Sequence, residues 1–298
     1  MNNITNKQLK RLVNVYQLKY TNGVAQGLGD YIRGCFCLLQ ISVVLGLQFD
    51  MDLTNHPMSK FLVKSDIKYD DINYQQIAKY ENINYIPINS QIYEKDTARF
   101  LNEFIKNMNA LKTNVENYYT FCNSFPILDN FTDNSRRFIR SKLAPNELMQ
   151  QHIQAAMNNL QLKARQFAVI HIRNGDKYML KNNQLNPFVI KKIVNTLVKS
   201  LKPGTKYLVL SDNNQIKILL KKIFPQLIIQ MTNIMHLGES VDPREEAIVE
   251  TLLDFYLMSN AYQIVSFSPY NWGSGFSQWC SVLHNIPFTQ IQVLDRLS

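Results

Sequence analysis

FAVIHIR (167–173), KYLVLSD (206–212), LIIQM (227–231) and QIVSFS (263–268) are four short apolar runs rich in β-branched residues, the composition of strands buried on both faces. Helical periodicity fills the intervals. PFVIKKIVNTLVKSL (187–201) is broken by Pro203 and Gly204, and NNQIKILLKKIF (213–224) leads into the third run. After a loop with Gly238 and Pro243, REEAIVETLLDFYLMSNA (244–261) carries acids in its first turn, where the macrodipole favours them. GSGFSQWCSVLHN (273–285) opens a last helix. Strand and helix alternate four times, which predicts a parallel, doubly wound sheet and an α/β fold.

Working outward, APNELMQQHIQAAMNNLQL (144–162) reads as a helix entered through Pro145. VYQLKY (15–20) reads as a strand, NGVAQGLGD (22–30) as a Gly-rich turn, YIRGCFCLLQISVVLGL (31–47) as an apolar helix, and LQFDMDL (47–53) as a second strand. Residues 64–145 are polar and rich in Asn and Tyr, with one clear helix at TARFLNEFIKNMNAL (97–111). With 298 residues, 46% of them hydrophobic, the chain suits two α/β domains, 1–150 and 151–298.

The N-terminal residues are polar and contain no signal-peptide core, and no run approaches about 18 uninterrupted apolar residues. The expectation is a cytoplasmic protein. Cys35, Cys37, Cys122 and Cys280 lack zinc-site spacing and lie in apolar contexts, so they read as buried thiols. The net charge is +9, and between Lys163 and Lys222 thirteen Lys or Arg face only Asp176 and Asp212. Such a patch suits a polyphosphate substrate, an anionic membrane surface met peripherally, or nucleic acid. Nucleic acid is the poorest fit, because no aromatics interleave with the charges on strands and no nucleic-acid motif is present. Several of these lysines read as a solvated helix face.

Ligands of open parallel sheets gather at the carboxyl ends of the strands. Four polar clusters fall there: His171, Arg173 and Asp176; Ser211 and Asp212; Ser274 to Ser277; and Gly27 to Arg33. Arg173 offers a planar fork that grips phosphate bidentately, and Gly273 to Ser277 offer backbone N–H groups at a helix N-terminus, which favours an anion.

These residues resemble a known family. VIHIRNGDKY (169–178) is similar to the H-x-R-x-G-D motif of the GT-B fucosyltransferase superfamily, which includes α1,2- and α1,6-fucosyltransferases and protein O-fucosyltransferases. In order along the chain, LSD (210–212), DFYLMSNAYQIV (254–265), SGFSQW (274–279) and, near the start, GLGDYIR (27–33) resemble its other motifs. Tyr262 stands where the family often has Asp, and FSPYNWG (267–273) lengthens one loop. The resemblance implies two Rossmann-like domains facing across a cleft, an acceptor-side N-terminal one and a GDP-sugar-binding C-terminal one. It implies inverting, metal-independent transfer, with fucose from GDP-fucose going to a glycan or protein hydroxyl and no cofactor. Carried over, Arg173 stabilises the departing GDP, His171 lines the nucleotide pocket, Asp254 accepts from guanine, and Ser277 with the Phe276 N–H holds phosphate. Gly27, Gly29, Arg33, Asp176, Asp212 and Ser274 complete the binding set, and Asp30 is the candidate base.

Plainer readings stand beside these. His171 also suits a satisfied core position, Asp212 a helix cap, Asp254 a buried internal cap, Gly27 and Gly29 a simple turn, and Trp272 and Trp279 packing in preference to sugar platforms. DMD (50–52) could hold a divalent cation in a GT-A enzyme, but the order of the five motifs argues otherwise. A non-catalytic sugar or nucleotide-sugar binding module on the same fold is the alternative function.

Overall fold

A computed structural model of the chain describes residues 10–21, 23–88, 96–111, 115–173, 180–181, 184–235, 237–238 and 244–293. It divides into two compact units, Met1–Gln26 with Asp30–Ala144 and Gly238–Val241, and Gly27–Gly29 with Pro145–Leu237 and Asp242–Ser298.

The first unit contains β1 (Arg11–Val15), β2 (Lys19–Tyr20), β3 (Gly23–Val24), the body of α1 (Leu28–Leu45), β4 (Gln48–Asp52), a 3-10 turn at Pro57–Phe61, α2 (Tyr74–Ala78), α3 (Thr97–Asn109), β5 (Asn117–Thr120) and α4 (Asp133–Lys142). Its parallel sheet has the order β4-β1-β5, with Val13 opposite Asp50 and Tyr119. The first strand is RLVNV, not VYQLKY. Asn14 interrupts the apolar run in the sequence, yet it is fully buried, and its Nδ2 donates to the Cys122 carbonyl while its Oδ1 accepts from the Cys122 N–H. Tyr16 has already left the strand to stack between Tyr31 and His56.

The turn expected before α1 is also shorter, since the helix begins at Leu28 and takes Gly29 and Asp30 into its first turn. It ends at Gly46 (φ +65), where the Leu47 N–H donates to Ser42 O and the Gly46 N–H to Val43 O, a Schellman closure that needs a left-handed residue. By length and composition α1 could cross a membrane. In this fold Cys37, Leu38 and Ile41 pack against Leu12, Tyr118, Phe100 and Phe104, making it a core helix.

The second unit contains α5 (Glu147–Asn159), β6 (Phe167–Ile172), β7 (Leu180–Lys181), β8 (Gln184–Leu185), α6 (Pro187–Ser200), β9 (Lys206–Ser211), α7 (Asn214–Ile223), β10 (Ile228–Ile229), α8 (Glu245–Ser259), β11 (Gln263–Ser268), α9 (Gly275–His284) and β12 (Phe288–Gln292). Five parallel strands take the order β10-β9-β6-β11-β12. The fifth, β12, is a polar edge strand that the apolar pattern does not reveal. Val189, Ile193 and Leu197 of α6, and Ile216 and Leu220 of α7, pack on Ala168, Ile170 and Ile172 of β6. Each such side chain contributes roughly 1.5–3 kcal/mol on burial. Successive strand residues point to opposite faces, so Phe167, Val169 and His171 face the other side.

The sheet has a topological switch point. The chain leaves β6 toward β9 on one side, and returns from β10 to β11 on the other side of β6. In a doubly wound sheet the crevice opens there, between the carboxyl ends of β6 and β11.

Candidate functional site

Both strands at the switch point deliver sequence-predicted residues. At the end of β6, the Arg173 N–H donates to Phe267 O of β11, and the Arg173 side chain turns the other way to donate from Nη1 to Asp212 Oδ2 at 2.6 Å. Asp212 follows β9 and does not cap α7. That cap is Asn213, whose Oδ1 accepts from the Gln215 and Ile216 N–H groups. The guanidinium is thus held at a fixed angle while remaining partly exposed.

His171 is buried beside it. Its Nδ1 lies 3.5 Å from Ser266 Oγ and its ring sits 5.9 Å from that of Phe276. Burial first, and the Arg173 charge second, hold its imidazole down at about 3, so it stays neutral. Ser266 Oγ continues the chain to Ser277 Oγ at 2.9 Å, and Ser277 Oγ also donates to Ser274 O at 3.3 Å. The Ser277 hydroxyl is fully buried and already partnered, and it ties the first turn of α9 to β11.

The N-terminus of α9 has no side-chain cap on Ser274. Unpaired first-turn N–H groups and the helix dipole make such an end favourable to an anion. Against it lies Gly29. A Cβ there would overlap the carbonyl of Gly275 and crowd the Phe276 N, so only glycine permits this approach. Within the second unit, Gly29 therefore lies directly against the first turn of α9.

Asp254 of α8 and Asp212 both act electrostatically on Lys217 of α7. Asp254 is 1% exposed, and among the described residues neither of its carboxylate oxygens has a hydrogen-bond partner. Burial pushes its carboxyl up to about 7, opposed by the Lys217 cation. Lys217 of α7, which reads in the sequence as a solvated lysine, is fully buried and donates to Gln230 O and Thr232 Oγ1. Burial draws its ammonium below the ordinary value and Asp254 pulls it back up. Two good acceptors at Nζ favour the charged ammonium, and the lack of donors at Asp254 leaves that group as the one able to take up a proton.

In the first unit, Asp30 and Arg33 pair at 3.2 Å, and Arg33 also donates from Nε to Asn123 O and lies over the Phe125 ring. Gly27 is half-buried ahead of α1, and Asp176 falls outside the described residues. Asp50 bonds Lys142 and Tyr69, and Asp52 bonds Tyr74 and the Thr54 N–H, so the DMD carboxylates serve internal partners. Among the described residues no cluster of three metal-ligating side chains occurs. All four thiols are buried and unpaired as disulfides, and burial raises those of Cys35 and Cys280.

Sequence reasoning missed Ser266, Lys217 and Tyr270, and it read Trp272, whose ring stacks on that of Tyr270 at 5.2 Å, as packing in preference to a sugar platform. Trp279 is 4% exposed, as packing predicts, but Trp272 is 67% exposed.

Parallel sheets in two Rossmann-like units, with phosphate-favouring groups at the switch point of the second, define an α/β fold of the GT-B class, the fold of the fucosyltransferases that the sequence motifs resemble. No protein-family model matches the chain, and no curated protein is similar to it in sequence. Among solved structures it is similar to the NodZ alpha-1,6-fucosyltransferase co-crystallised with GDP, with a TM-score of 0.56 and 12% identity over 92% of each chain. NodZ soaked with GDP-fucose gives a TM-score of 0.54 and 13% identity, again over 92% of each chain. A mutant of Arabidopsis thaliana FUT1 in complex with GDP gives 0.56 and 13%, over 98% of this chain and 73% of that one. At these identities the likeness is one of fold.

Proposed function

We propose that the chain transfers fucose from GDP-fucose to a hydroxyl of a glycan or protein, with inversion and without an essential metal. The observation that carries this reading is the placement of Arg173, braced by Asp212, at the carboxyl end of β6 and of the uncapped N-terminus of α9 after the adjoining strand β11, on the two sides of the switch point. As the sugar C1–O bond breaks, its electron pair passes to the β-phosphate oxygen, and the acceptor oxygen bonds to C1 from the opposite face. Charge grows on the diphosphate, and a fixed guanidinium with backbone N–H donors stabilises the transition state more than the ground state. These groups supply the charge that a divalent cation would supply elsewhere. The acceptor proton goes to a carboxylate, for which Asp30 is our candidate.

In this reading the buried His171–Ser266–Ser277 chain positions the α9 turn, and the N–H groups of Gly275, Phe276 and Ser277 contact phosphate. Asp254 would read guanine once the side chains covering it move aside. The buried free thiols support a reducing, cytoplasmic setting. The outer face of α6, with Lys191, Lys192, Lys199 and an 83% exposed Phe188, supports peripheral contact with an anionic membrane. The pairing of Asp30 with Arg33 favours the second reading, a nucleotide-sugar binding module without a free base. GDP-fucose hydrolysis and transfer assays, with and without a chelator, separate these. Turnover that survives chelation supports the first, and GDP binding with no turnover supports the second.

A further inference from the structure

The loop between β11 and α9 is built to hold one aromatic face toward solvent. The Tyr270 N–H donates to Ser268 Oγ at 3.2 Å, the Gly273 N–H to Tyr270 O at 3.1 Å, and Gln290 Nε2 of β12 to Asn271 O at 3.1 Å. Gly273 has φ +82, where a side chain would strain the backbone, and the space beside it is filled by the Gln290 side chain. The turn is therefore fixed from within and from the neighbouring strand. On it Trp272 stands 67% exposed, backed by Tyr270 at 5.2 Å and 16° between planes.

Leaving so much indole in water is unfavourable unless something covers it, and the ordering of this loop means that little entropy is lost when something does. Trp272 precedes Gly275 by three residues, so its Cα lies within about 11 Å of the α9 N-terminus. A flat, rigid, electron-rich ring face at the lip of a sugar-nucleotide site matches the apolar face of a pyranose, whose C–H groups carry the complementary partial positive charge.

We propose that Trp272, supported by Tyr270, is a stacking platform for a pyranose ring of the acceptor, which makes the acceptor a glycan. The inference rests on the glycosyltransferase reading and adds the class of acceptor to it. It does not require Trp272 to touch the donor.

The chain has only two tryptophans, so the exposed one can be followed without a label. Acrylamide quenches Trp272 in the free protein and leaves the buried Trp279 largely dark to the quencher. A printed glycan array identifies oligosaccharides that the wild-type protein retains, and the best of these is added at saturation. The expected result is protection of Trp272 from acrylamide with a blue shift. Trp272→Ala should weaken binding of that oligosaccharide by about ten-fold or more, with Trp272→Phe recovering much of it and GDP affinity unchanged in both.

No retained glycan, or a retained glycan that leaves Trp272 fully quenchable, overturns the inference. So does protection by GDP-fucose alone, or by raising protein concentration, which would put the donor or a second copy on the ring. GDP titration of the wild type runs alongside. If GDP binds and Trp272 stays open to acrylamide with the glycan at saturation, the platform fails and the donor reading survives. Absence of GDP binding sinks the donor reading itself.

Discussion

Arg173 and Asp212 join the carboxyl ends of two neighbouring strands, β6 and β9, through a 2.6 Å bond from Nη1 to Oδ2. The bond occupies one side of the guanidinium fork and sets the direction of the rest. Arg173→Lys should keep the fold and lower turnover by about 10²–10³, since an ammonium cannot both pair with Asp212 and present a planar fork to phosphate. Asp212→Asn keeps the geometry but weakens the brace, so its loss should be smaller. Wild-type turnover in a folded Arg173→Lys variant would remove Arg173 from the mechanism.

His171 makes stability depend on pH. Its imidazole is held at about 3 in the folded protein against an ordinary 6.5. Above 6.5 it is neutral in both states and costs nothing. As pH falls from 6.5 toward 3 the unfolded chain takes the proton first, and stability is lost at up to about 1.4 kcal/mol per pH unit. Urea midpoints at pH 7.5 and 5 should fall more in the wild type than in His171→Phe. Equal falls would mean that His171 is not desolvated as described.

Gly29 lies against the backbone of Gly275. Gly29→Ala should displace the backbone at Gly275 and Phe276, costing roughly 1–3 kcal/mol of stability and weakening GDP binding as well. Thermal melts and GDP titration together check this. A variant with unchanged melting and unchanged GDP affinity would show that the approach is incidental.

Asp254 of α8 and Lys217 of α7 are both buried and attract each other electrostatically without a direct ion pair. Removing either alone should cost about 3–5 kcal/mol, and Lys217→Met combined with Asp254→Leu should cost less than the sum of the single losses. If Asp254 also reads guanine, Asp254→Asn should shrink the preference for GDP over UDP and ADP. An unchanged preference would leave the residue a structural role only.

The central fold was legible because β6, β9 and β11 are buried on both faces and so appear as unbroken apolar runs between helical stretches. What stayed hidden follows from tertiary contacts. Asn14 looks like a strand breaker until its amide is seen clasping Cys122. β12, FTQIQ, is a half-exposed edge strand whose polar residues resemble a loop. Lys217 shares its spacing with lysines that are solvated, and only the acceptors at Gln230 and Thr232 show that it is buried. Arg173, Asp212, His171 and the Ser274 to Ser277 turn could be named from motif order and strand ends. The brace between the first two, and the inward aim of the Ser277 hydroxyl, required coordinates.

Isothermal titration calorimetry of GDP into wild type and Arg173→Ala tests most directly whether Arg173 and the α9 N-terminus hold a guanosine diphosphate. The wild type should bind GDP at least about ten-fold more tightly than UDP or ADP. Arg173→Ala, with its melting temperature retained, should lose on the order of ten- to a hundred-fold in GDP affinity, the range for deleting a charge-assisted hydrogen bond. Undetectable GDP binding by the wild type, or equal GDP affinity in the two proteins, would contradict it.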